Sequence, residues 1–344
     1  MTSFAYLSND TFLKAPSAAP AGQADNLSGA RYGVAGIAWD GAVTNRPGAR
    51  FGPRAIRVAS HMLCDGIHPL FDNSPLGEPG VSGPDLVDHG DLALPNTSLA
   101  TMREALEAQA AALIRQRHMA WLGGDHSVTL SLLRAYRTWL GRPLGLLHFD
   151  AHCDTWTDHF GEPSGHGTWV YEAIREGLVD PAACVQVGIR SAGTREAREY
   201  VRACGGDIFS ARDLRGLDGA GLSPVLAAMR QRWHERGLPP LYLSLDIDCL
   251  DPAFAPGTGT PEPGGLTSNQ VLTLLESLAD LPWVGMDCVE VAPAYDHAEL
   301  TSLAAATFVW TYLCGRIHQG SHQGSHPASH HEPHHIGATG NHPA

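Results

Sequence analysis

Three short segments place histidines and aspartates where apolar runs end: WLGGDHS (121–127), LLHFDAHCD (146–154) and YLSLDIDCLDP (242–252). They supply His126, then Asp150, His152 and Asp154, then Asp246 and Asp248. Side chains at i, i+2 and i+4 of an extended segment share a face. Asp150, His152 and Asp154 are therefore expected to point together, and so are Asp246 and Asp248. Two imidazoles and four carboxylates exceed what one catalytic ion takes. They suit two divalent ions bridged by carboxylate, about 3.5–4 Å apart, which would lower the pKa of a shared water. Four negative charges against a total of about +4 make burial of such a cluster tolerable. Nitrogen and oxygen donors without thiolate favour Mn, Ni, Co or Fe over structural zinc. A lone DxH or DxD is common in proteins; three such elements at successive strand ends are not.

The neighbours of these residues read differently. His148 is expected to be a core histidine rather than a ligand, and the face it shares depends on where the pleat breaks. Cys153 and Cys249 alternate away from the candidate ligands and read as small packing residues. Asp125 and Asp251 border the motifs and are expected to orient ligands or cap turns.

Positioning these groups takes a sheet. Short apolar runs at 32–38, 85–88, 119–122, 144–149, 185–190, 207–209, 241–246 and 283–290 read as strands. Helical segments at 98–117, 127–140, 194–203, 222–236, 267–279 and 298–313 alternate with most of them. Asn96-Thr97-Ser98 and Thr267-Ser268 are helix-start signals. The alternation predicts an α/β fold with a mostly parallel sheet of about eight strands, covered on both faces, in a single domain. A (β/α)8 barrel shares the alternation and is the alternative. In an open α/β sheet, ligands gather at the carboxyl ends of strands, where all three motifs fall.

The 344 residues are 43% hydrophobic, enough to build a core, and no run of about 18 apolar residues suggests a membrane span. Acidic residues exceed basic ones, giving a net charge of −13. This argues against nucleic acid as a partner and favours small cations. The first ten residues, MTSFAYLSND, lack the basic-then-apolar pattern of a signal peptide. Seven cysteines without CxxC spacing read as free thiols in a reducing cytoplasm. Residues 1–30 read as an irregular arm, 31–316 as the catalytic domain and 317–344 as a disordered tail. That tail carries eight of the 19 histidines and would attract late transition metals, nickel above manganese.

GGDHS, DAHCD and SLDIDCLDP, in this order and spacing, resemble the ureohydrolase (arginase/agmatinase) family. RPGARFGPRAIR (46–57) and EVAPAYDHAELT (290–301) are similar to its agmatinase branch. The resemblance covers roughly residues 30–315. It implies the three-layer α/β/α arginase-like fold and assembly as a homo- or hetero-oligomer, a trimer or hexamer. It implies two divalent ions per chain, Mn or Ni. One would be held by His126, Asp150, Asp154 and Asp246, the other by His152, Asp150, Asp246 and Asp248. The implied reaction is hydrolysis of a guanidino C–N bond by water activated between the ions, releasing urea and an amine. Glu290 matches the carboxylate that faces the guanidinium, and His166, in GHGT, matches the histidine that handles protons.

The segment TWTDHFGEPSG (155–165) is where the substrate tail is expected to pass. It holds no Lys or Arg, but Trp156, Phe160 and Asp158 offer apolar, cation–π and charge contacts to a cation. The expected substrate is a small cationic guanidine compound: agmatine, or guanidine, an N-alkyl guanidine or a biguanide such as metformin. A guanidino-acid hydrolase such as guanidinobutyrase is the alternative. A metal-storage or regulatory subunit is the alternative from another class, which urea release by the chain alone would exclude. If nickel is the metal, nickel-delivery proteins are expected partners.

Overall fold

Runs rich in Val, Leu and Ile that are buried on both faces suit parallel strands. In the computed structural model, which describes residues 10–18, 29–77, 84–158 and 160–322, they pair into one eight-stranded sheet. The strands are β1 (Tyr32–Ile37), β2 (Leu86–Asp91), β3 (His118–Gly123), β4 (Leu144–Phe149), β5 (Val179–Val187), β6 (Asp207–Phe209), β7 (Leu241–Asp246) and β8 (Trp283–Val289). Their order is β2-β1-β3-β8-β7-β4-β5-β6, with every pairing parallel. The sheet is open, with β2 and β6 at its edges, so the barrel alternative is excluded.

Two apolar layers flank the sheet. On one face, α1 (Gly52–Ser60), α7 (Ser223–Glu235), α8 (Ser268–Ser277) and α9 (Leu300–His322) bury Ile56, Trp233, Leu274 and Phe308. On the other, α2 (Leu99–Ile114), α3 (Val128–Leu140) and α4 (Trp169–Arg175) bury Leu106, Leu132 and Trp169. Alternation within β4 serves both layers: Leu147 and Phe149 face one, Leu144 and Leu146 the other. The segment 194–203 forms two short helices, α5 (Arg195–Arg198) and α6 (Tyr200–Ala203). Helix α8 starts at a capping box between Thr267 and Gln270. No helix among the described residues is long and apolar enough to cross a membrane.

The chain ends add detail to two expectations. Residues 10–18, part of the segment expected as an irregular arm, carry only one 3-10 turn but pack onto the fold. Phe12 and Leu13 are fully buried, and their N–H groups donate to Asp88 Oδ2 and Ser60 Oγ, each at 2.7 Å. At the other end, α9 continues to His322, six residues into the segment expected to be disordered, and Ile317 is buried. An apolar residue one turn beyond Leu313 extends the buried stripe, so the helix continues past Arg316. The remaining tail histidines, His326 onward, lie outside the described residues, as does the nickel capture expected of them.

Candidate metal centre and substrate pocket

The four central strands, β3, β8, β7 and β4, end side by side. Each carboxyl end carries part of one cluster. After β3 the chain turns through Gly124, where a Cβ would lie 2.3 Å from the Trp39 carbonyl oxygen. Only glycine lets the turn pass that close, and the turn delivers His126 to the cluster. Asp150, His152 and Asp154 follow β4, Asp246 ends β7 with Asp248 just beyond, and Glu290 follows β8.

His126 Nδ1 lies 3.1 Å from Asp150 Oδ2, 3.2 Å from Asp154 Oδ2 and 3.1 Å from Asp246 Oδ2. None of these contacts has hydrogen-bond geometry, and the buried nitrogen has no partner. Four donor atoms thus converge on one point, as a cation would require. A second group forms around His152 Nδ1, 3.2 Å from Asp150 Oδ1 and 3.1 Å from Asp248 Oδ2. Asp150 gives one oxygen to each group, which is the geometry of a shared ligand. Asp246 gives Oδ2 to the first group, while its Oδ1 accepts the Asp248 N–H at 2.8 Å. Burial favours neutral imidazoles, yet the carboxylates raise the pKa of His126 and of His152 well above the ordinary value. The cluster therefore demands positive charge. Its donors form two groups that could each hold a divalent ion: His126, His148, Asp150 and Asp154, and Asp150, His152 and Asp248; Asp246 Oδ2 also faces His126.

The partners that aim these ligands are only partly visible in the sequence. His126 Nε2 lies 2.8 Å from Ser244 Oγ, whose proton goes to Asp287 Oδ1 at 2.7 Å. Ser244 must then accept from Nε2–H, which leaves Nδ1 open toward the cluster. Asp287 also accepts from Thr129 and Tyr242. Trp169 Nε1 donates to Asp154 Oδ2 at 2.7 Å. Ser244 shares the i, i+2 face of Asp246, and Asp287 is a carboxylate inside an apolar run. Both are signals legible in the sequence; Trp169 carries none.

Asp125 accepts from Ser127 N–H and from Ala42 N–H, tying the turn after β3 to the one after β1. Burial, with Glu290 nearby, pushes its carboxyl up to about 6. Asp251 accepts the N–H groups of Ala253, Gly264 and Gly265 and holds a turn. Cys153 and Cys249 are buried packing residues, as their alternation suggests. His148, whose facing was open, shares a side with Asp150: its Nε2 lies 2.8 Å from Asp150 Oδ2.

Above the cluster lies a cavity of about 370 Å³. Glu290 is buried beside it; Oε1 accepts from His126 N–H at 2.9 Å and pairs with His166 Nδ1 at 3.0 Å. Its Oε2 has no partner. His166 Nε2 receives the Thr44 N–H at 3.2 Å and lies 2.8 Å from Thr44 Oγ1. Burial would lower the His166 pKa, but Glu290 raises it to about 9. A second ring proton on Nε2 has to displace the Thr44 N–H. Trp156, Asp158 and Phe160 line the outer cavity, and Phe160 is 89% exposed. Among the described residues, no Lys or Arg lines it.

The model of the "Arginase family" matches residues 30–315. An agmatinase from Chromobacterium violaceum is 41% identical over 296 residues, 84% of each chain. A solved structure of a hypothetical agmatinase from Burkholderia thailandensis is 34% identical, with a TM-score of 0.79 over 94% of this chain and 98% of that one. Proclavaminate amidino hydrolase from Streptomyces clavuligerus is 35% identical, with a TM-score of 0.77 over 92% and 100%. An open parallel sheet carrying this His/Asp cluster, matched over most of its length, makes the chain a member of the arginase family, hydrolases acting on C–N bonds of linear amidines.

Proposed function

We propose that this chain hydrolyses the guanidino C–N bond of a small cationic guanidine compound, agmatine foremost, to urea and an amine. The observation that carries this reading is the cavity. Its lining residues His126 and His166 both contact Glu290, whose Oε2 is a buried carboxylate oxygen without a partner, and the lining includes Asp158 but no Lys or Arg side chain. A planar guanidinium is the natural partner of the carboxylate. The far ammonium of agmatine is attracted by Asp158, whereas the carboxylate of a guanidino acid is repelled and has no Lys or Arg to meet it.

Divalent ions, manganese or nickel, held by His126, Asp150, Asp154 and Asp246 and by His152, Asp150, Asp246 and Asp248, would supply an activated water at the cavity. Glu290 holds the guanidinium in register with that site. His166, hydrogen-bonded to Glu290, stands where it can pass a proton to the departing amine. Trp156 and Phe160 offer apolar contact along the path. All seven cysteines are free thiols, which suits a reducing cytoplasm.

The test is urea release by the purified chain from agmatine, 4-guanidinobutyrate, guanidine and metformin, with Mn²⁺ and Ni²⁺ compared. At 4 Å, unit charges interact by about 1 kcal/mol even in water, so reversing the tail charge is expected to favour agmatine over guanidinobutyrate by tenfold or more in kcat/KM. Preference for guanidinobutyrate, or for metformin over agmatine, would overturn the substrate assignment. No urea from any of the four would overturn the reading itself.

A further inference from the structure

We propose that His148 is a positioning residue for the metal centre, donating a hydrogen bond to the shared ligand Asp150, with its tautomer set by Gln186. This rests on reading the cluster as a metal centre. Strands β4 and β5 pair in a register that puts His148 directly opposite Gln186. Gln186 Nε2 lies 2.8 Å from the Cys153 carbonyl oxygen and 3.0 Å from His148 Nδ1. A carbonyl only accepts, so the amide nitrogen must face Cys153. The same nitrogen then donates to Nδ1, which must carry a lone pair. A neutral ring keeps its proton on the other nitrogen, Nε2, 2.8 Å from Asp150 Oδ2.

Asp150, His148 and Gln186 are all buried, so water cannot substitute for either bond. Gln186 Oε1 is left without a partner. A buried acceptor sacrificed in this way fits an amide placed to present its nitrogen to two acceptors. Trp169 and His126 close on the His148 ring edge-on, with centroids 4.9 and 5.0 Å away, and they fix its plane. Oδ2 is the Asp150 oxygen aimed at the His126 group, and Oδ1 is the one aimed at His152. The donor from His148 therefore directs one half of the shared carboxylate, and the first of the two groups depends on it most.

The experiment is equilibrium dialysis of the full-length, metal-free chain against Mn²⁺, with the melting temperature of each metal-free variant as the folding control. Binding of about two Mn²⁺ by the unaltered chain tests the metal-centre reading, independently of the variants; no binding overturns both. His148→Phe keeps a flat ring but no donor. It is expected to weaken the tighter site 10- to 100-fold, the usual effect of losing such a support. His148→Gln, which retains an N–H near the Nε2 position, is expected to recover most of that loss. Gln186→Leu removes the donor to Nδ1 and leaves the ring free to take the other tautomer. A tautomer set by Gln186 predicts weaker Mn²⁺ binding in this variant too. Binding by Gln186→Leu or by His148→Phe within twofold of the unaltered chain, or no recovery by His148→Gln, would overturn the inference. If Gln186→Leu fails to fold, the His148 pair decides alone.

Discussion

Glu290 occupies left-handed backbone, with φ 63°, and Asp154 does the same at φ 50°. Such a conformation costs a non-glycine residue about 1–3 kcal/mol and persists where the surroundings demand it. Here the demand is orientation: Glu290 must turn back from the end of β8 to meet His126 N–H and His166. Glu290→Gln keeps that shape and removes the charge facing the guanidinium. It is expected to leave Mn²⁺ content unchanged while kcat/KM falls 100-fold or more, the equivalent of about 3 kcal/mol for a buried charge pair left unpaired. His166 allows a pH test. Its protonated form is the one that can pass a proton to the departing amine, so kcat/KM is expected to fall as pH increases through about 9. His166→Asn should lose that limb of the profile. A limb that survives the substitution assigns the titration to another group. The ligand types were readable from short motifs, but their facing was not a matter of strand alternation: β4 ends at Phe149, Asp154 is left-handed and Asp248 lies in a 3-10 turn. The Thr44–His166 contact spans 122 positions and left no trace in the sequence.

Elements differ in how much of themselves they reveal. Seven of the eight strands lie close to where apolar runs place them, but β5 starts at Val179, six residues before the run at 185–190, because its first half is only partly buried and leaves no continuous apolar signal. Helices α1 and α4 were not anticipated. The first opens Gly-Pro and spans nine residues, and the second, WVYEAIR, spans seven. Helices this short draw their stability from tertiary packing rather than propensity. For α1 that packing is partly ionic. Arg57 bonds Asp88 through Nε at 2.8 Å and Nη2 at 3.0 Å and also pairs with Asp91, all in the protein interior. This ties α1 to β2, while Asp88 also holds Phe12 of the N-terminal segment. Arg57→Met leaves two buried carboxylates unbalanced and is expected to destabilise the fold by about 3–5 kcal/mol. Urea unfolding measures it, and an unchanged midpoint would show that the cluster is relieved in another way.

At the scale of the molecule, the end of α9 belongs to the folded body. Tyr32 OH donates to the Arg316 carbonyl at 2.9 Å, Ile317 is buried, and His318 packs against Phe71 at 5.5 Å between centroids. Truncation after Arg316 is therefore expected to lower the melting temperature. The loss of one buried Ile side chain alone removes about 1.5–3 kcal/mol. Equal melting of truncated and full-length chains would show that this last stretch contributes nothing. The sequence by itself determined the strand count, the parallel α/β class and six candidate ligands on two imidazoles and four carboxylates, because each depends on periodicity within a few residues. Only the tertiary structure decided which strands are neighbours. The order β3-β8-β7-β4 brings together chain segments that local patterning cannot relate. From that order follow the Ser244–Asp287 support behind His126, the cavity wall without a cation, and the pairing of β4 with β5 that sets Gln186 against His148. Each is a meeting of side chains from different strands, fixed by sheet register rather than by spacing along the chain.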